Sequence, residues 1–131
     1  MKFLLAVVLF MCFVSSFAQT QAEMNIDAIK SYEKSDKELN DIYKQILNRY
    51  KSDTIFIKNL KSSQKIWITF RDAELKMKFP EKIKGFYGSI QPVCVSGYLE
   101  KLTRERTLTL KAWLDGYIEG DACNGSIKNN D

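Results

Sequence analysis

Two carboxylates, Asp36 and Asp72, are the side chains whose type could do chemistry. A pair of carboxylates flanking a glycosidic bond supports acid–base hydrolysis. Both stand beside large apolar residues, where an unpaired charge is strongly penalised. Each is therefore expected to pair with Arg71 or Arg106 inside the fold. Thr103 and Thr107, one helical turn apart, would act as nucleophiles only beside an activating base. The chain contains no histidine, which removes His-based triads, the common zinc sites and the usual base near neutral pH. These residues point away from an enzyme and call for no metal and no cofactor.

The same residues have a structural use. Gln64, Trp67 and Arg71 fall at i, i+3 and i+7, so a helix sets them on one face, with Leu60 and Ile68, and Asp72 follows Arg71 in sequence. That face is otherwise apolar. A buried guanidinium or amide left unsatisfied costs roughly 1–3 kcal/mol, so partners must come from other segments. Gln64 and Asn40 are expected to satisfy groups across helices. Trp67, Trp113, Tyr32, Tyr43 and Tyr50 are expected in the core, and Lys58, Lys61 and Lys65 on a solvated face.

Three helices are needed to position these groups. Thr20-x-x-Glu23 reads as a capping box opening the first, whose apolar residues then recur at three-to-four spacing from Met24 to Tyr50. Asp53 is the expected cap of a second helix over about 54–78, stopped by Pro80. Residues 79–92 form the one substantial loop. A third helix starts between Ser89 and Tyr98 and runs to about Tyr117, and the polar tail from Asn124 is expected to fray. The spacing predicts an all-α, antiparallel bundle of three long amphipathic helices.

The N-terminus carries Lys2, an apolar run from Phe3 to Val14 and small residues at Ser16 and Ala18. This is the pattern of a secretory signal peptide cleaved after Ala18, and the run falls short of the ~20 residues of a membrane span. A lipoprotein through Cys12 is disfavoured by Met11, where a small residue is wanted. The expected mature chain, 19–131, is one exported domain with its core over about 24–118, periplasmic or extracellular. The formal net charge is +4, one unit less once Lys2 leaves, with no basic block. Nucleic acid is a poor partner for such a surface.

Cys94 and Cys123 remain after the leader. In an oxidising compartment one disulfide is expected, closing a loop of 30 residues and worth roughly 3–4 kcal/mol. One straight helix between them would hold them about 40 Å apart, against the ~7 Å a disulfide tolerates. Pairing requires a late helix start near Gly97 and a fold-back of 116–123; interchain pairing and free thiols are the alternatives.

Met24-Asn25, Tyr32-x-x-x-Asp36-x-x-Leu39-Asn40-x-x-Tyr43, Gln64-x-x-Trp67-x-x-x-Arg71-Asp72-Ala73, Gly88-Ser89 and Leu102-Thr103-x-x-Arg106-Thr107-x-x-Leu110 together resemble the LprI-type lysozyme inhibitor family. The resemblance covers about residues 24–114. It implies a small exported or lipid-anchored bacterial domain that binds a protein partner, with a lysozyme as the named target. Many members carry a cysteine just after the Arg-Asp-Ala-Glu stretch and another four residues before the Leu-Thr pair. Here those positions hold Leu75 and Tyr98, and the Cys94/Cys123 pair looks like a subgroup's replacement.

Gly85-Phe86-Tyr87-Gly88 sets two aromatics between glycines, more than turn chemistry requires. They either fold back on the bundle or project as anchors for a partner. A positive chain gains no long-range steering toward a basic lysozyme. Inhibition would then call on a local acidic patch including Glu74, Asp115, Glu119 and Asp121. The rival to muramidase blocking is an envelope interaction module that does not inhibit lysozyme; a carboxylate hydrolase ranks behind both.

Overall fold

The computed structural model describes the backbone of residues 2–117 and 119–129, and side chains from Thr20 onward apart from residue 118. The expected leader and Cys12 lie outside the described side chains. Three helices account for the fold: α1 (Lys2–Arg49), α2 (Thr54–Lys78) and α3 (Gln91–Asp115), with no strand among the described residues.

Helix α1 runs unbroken for 48 residues. Thr20 therefore lies within it rather than capping its start. The segment contains neither Gly nor Pro, so nothing in the backbone ends the helix between the apolar run and Met24. Helix α2 begins as its cap predicts: the Asp53 carboxylate accepts from the Phe56 N–H at 2.9 Å. Its last residue is Lys78, and Phe79 caps it directly before the proline.

The order is up, down, up. Glu38 meets Lys111 at 2.8 Å and Tyr50 meets the end of α3, so α1 and α3 run parallel. Gln64 meets Arg106 and Glu74 meets Tyr98, so α2 runs antiparallel to α3. The closest packing joins α1 to α3, and α2 sits more lightly against them.

Leu39, Ile46, Tyr50, Leu60 and Leu110 form the buried centre, with Ile42, Leu47, Phe56, Trp67 and Trp113 packed on it. Each fully buried aliphatic side chain contributes roughly 1.5–3 kcal/mol. This core lies toward the α1–α2 turn. Ile66, Phe70 and Met77 fall on the outer face of α2 and are exposed, and so is Ile68, which was expected on the covered face.

Two further expectations are corrected. The tail does not fray through Asn129: Trp113 Nε1 donates to Ser126 Oγ at 3.0 Å, and the Lys128 N–H donates to the Tyr50 hydroxyl at 2.9 Å. Arg49 donates to the Asn129 carbonyl at 2.8 Å. The aromatic end of the bundle offers polar atoms that the tail satisfies. Cys94 and Cys123 are free and exposed. Helix α3 starts at Gln91 rather than near Gly97, so the helix itself holds Cys94 away from the tail.

Candidate functional site

Gln64, Trp67, Arg71, Asp72 and Arg106 of the family signature fall into two interhelical clusters. In the first, Arg71 on α2 reaches α1, where Nη1 donates to the Tyr32 hydroxyl at 3.5 Å. Nε and Nη2 of Arg71 donate to Asp72 Oδ1 at 2.9 and 2.8 Å, and the guanidinium lies 5.4 Å from the Trp67 ring centre. Burial raises the Tyr32 phenol above its ordinary value, and Arg71 pulls the other way. In the second cluster, Arg106 on α3 donates through Nε to Gln64 Oε1 at 3.1 Å and through Nη2 to Ser63 Oγ at 2.9 Å. Burial pushes the Arg106 guanidinium below its ordinary value.

The expected arginine partners divide. Asp72 pairs with Arg71, but at an exposed position rather than inside the bundle. Asp36 takes no arginine; it accepts from Asn40 Nδ2, one turn on along α1, at 3.0 Å. Asn40 therefore satisfies its own helix and not a neighbour, because it stands exposed, one turn from Asp36. Asp36 lines a shallow groove with Tyr32, Glu33, Lys37, Asn40, Asp41 and Lys44, and Asp72 is no part of that lining. A hydrolytic pair would need both carboxylates on one substrate. Thr103 and Thr107 are buried, and Thr107 Oγ1 donates to the Thr103 carbonyl at 2.9 Å.

The loop divides its two aromatics between the alternatives. Tyr87 folds back: its hydroxyl donates to the Pro80 carbonyl at 2.8 Å, and its ring meets Phe79 edge-on at 5.7 Å. Phe86 projects, 61 % exposed, beside Ile83 at 82 %. Turn hydrogen bonds from Phe86 N–H to Ile83 O and from Gly88 N–H to Gly85 O hold the segment. Gly85 and Gly88 adopt φ of +85° and +73°, which a side chain would resist. The loop thus presents Phe86 and Ile83 on a braced backbone, with Lys82 and Lys84 on either side of Ile83.

Ile83 was missed by sequence reasoning, although an aliphatic residue between two lysines in a polar loop was a usable signal. The link from Tyr98 to Glu74, at 2.9 Å, was also missed. It occupies Glu74 near the loop end of the bundle, while Asp115 closes α3 about 26 Å further along the helix axis. The acidic patch expected to join Glu74 with Asp115, Glu119 and Asp121 is not assembled, because opposite ends of α3 separate its members.

Residues 13–110 match the family described as "Lysozyme inhibitor LprI". An uncharacterized protein of Rhizobium meliloti (strain 1021) is 32% identical over 109 residues, covering 75% of this chain and 76% of that protein. No solved structure matches. The matched span takes in both interhelical clusters and the braced loop, and the chain belongs to the LprI lysozyme inhibitor family.

Proposed function

We propose that this protein is exported, loses its leader after Ala18, and acts by inserting the 79–92 loop into the cleft of a muramidase. The observation that carries this reading is the exposed Phe86 on a backbone held by the Tyr87–Pro80 bond and by the turn bonds of Phe86 and Gly88. A preformed anchor loses little ordering entropy on binding. Aromatic side chains are also the usual energetic centres of protein interfaces.

Local charge supports the same loop. Muramidases cleave glycosidic bonds with a pair of carboxylates, so their clefts are acidic where the chemistry occurs. Lys82 and Lys84 beside Phe86 complement such a cleft even though the whole chain is positive. Partner binding through this loop does not draw on Asp36, Asp72 or the buried threonines.

The test is muramidase activity on cell-wall substrate with purified residues 19–131 titrated in, beside the Phe86→Ala variant. Dose-dependent inhibition that Phe86→Ala weakens at least tenfold is expected. Undiminished inhibition by Phe86→Ala would remove the loop from the reading. No inhibition across animal and bacterial muramidases would leave the envelope interaction module in its place.

A further inference from the structure

A groove of about 470 Å³ lies between the first half of α2 and the second half of α3, at the opposite end of the bundle from the 79–92 loop. Its walls are Ile55, Phe56, Leu60, Leu110 and Trp113, closed at one end by Ser126 of the docked tail. The volume and apolar lining suit a small organic ligand. The groove is open to solvent along one side, and Ile55 forms an exposed lip.

Arg106 gives this groove its polarity. A guanidinium has five N–H donors, and Gln64 and Ser63 engage Nε and Nη2. No carboxylate among the described residues lies within ion-pair distance of Arg106. The neighbouring Arg71 differs, being paired with Asp72. A half-buried cation in an apolar groove is costly unless an anion compensates it. The other charged residue of the lining, Asp53, precedes Ser63 by ten positions, about 15 Å along α2. Its carboxylate is engaged in capping that helix.

We infer that this groove binds a single-chain fatty carboxylate, the head on the free N–H groups of Arg106 and the hydrocarbon along Leu60, Phe56 and Trp113. The bidentate geometry of guanidinium and carboxylate fits the head. An uncharged or cationic amphiphile would fill the same walls but leave Arg106 uncompensated. Charge thus discriminates among ligands with identical tails.

The test is calorimetric titration of the purified protein with laurate and, separately, with dodecyltrimethylammonium, both below their micellar concentrations. One laurate per chain is expected, bound at least tenfold more tightly than the cation. Arg106→Gln should abolish that preference while the helical circular dichroism is retained. Arg106→Lys, which keeps the charge but loses the fork, should fall between. Equal affinity of the unsubstituted protein for the two amphiphiles, or no saturable laurate binding, would overturn the inference without reference to any variant. So would laurate binding undiminished in a folded Arg106→Gln.

Discussion

The Tyr50 hydroxyl donates to the Trp113 carbonyl at 3.2 Å, tying the end of α1 to the end of α3. The same oxygen accepts from the Lys128 N–H at 2.9 Å, and the Tyr50 ring stacks on Phe56 at 4.3 Å. One buried phenol therefore joins two helices, the start of a third and the tail. Tyr50→Phe keeps the ring and removes both bonds. Stability is expected to fall by about 1–2 kcal/mol in urea unfolding. Hydrogen exchange should quicken at residues 126–129; unchanged exchange there would detach the tail from this oxygen.

The loop should respond to charge and bracing separately. Changing Lys82 and Lys84 to Gln is expected to slow association with a muramidase and flatten its dependence on salt. Tyr87→Phe leaves the ring against Phe79 but frees the segment from Pro80, so affinity should weaken severalfold with the salt dependence intact. Stopped-flow binding at two ionic strengths separates these effects. An unaltered salt slope in the lysine variant would contradict the electrostatic part of the proposal.

Acid should loosen the α1–α3 and surface ion pairs. The bond from Arg104, then one from Ser31, holds the Glu100 carboxyl below its ordinary range; the Lys111 bond does the same for Glu38. Carboxylates lowered by folding contribute stability that is complete above the unfolded value, about 4.3 for Glu. It is lost as pH falls through the lower folded value. Urea midpoints should therefore drop as pH falls below about 4.5, and Glu100→Gln should make that drop shallower. A drop of equal steepness in the variant would place the effect elsewhere.

Thr103 Oγ1 is fully buried without a hydrogen-bond partner. Thr103→Val preserves the branched shape and removes the unsatisfied hydroxyl, so stability should rise by about 1 kcal/mol. A fall of similar size would mean that the hydroxyl has a partner in solution.

The elements were legible in the sequence wherever local rules decide them. Asp53 caps α2, Pro80 follows its end, and the 3.6-residue period of Leu60, Gln64 and Trp67 identifies its covered face. Gln64 and Arg71 signalled their need for partners on other helices, and both found them. Periodicity identifies a face but not its neighbour. Nothing in the spacing said that α1 would lie mainly on α3, that Asp36 would settle for Asn40, or that Ile68 would stay uncovered. The docking of the tail depends on backbone groups of Lys128 and Asn129, which carry no signal in side-chain type. The Phe86–Tyr87 pair was visible as a feature, but only geometry separates the brace from the anchor.

The parallel pairing of α1 with α3 also bears on when the chain can fold. The two helices packed most closely are those separated by all of α2 and the loop, as in the Glu38–Lys111 contact 73 residues apart. Closing so long a segment costs entropy before any burial offsets it. A ribosome would have to release α3 before the principal interface existed, so the emerging chain stays loose throughout its first two helices. A fragment ending at Lys78 should accordingly show no cooperative thermal transition, whereas the whole chain should. On the export route proposed above, late collapse of this kind would keep the nascent polypeptide fit for passage across a membrane.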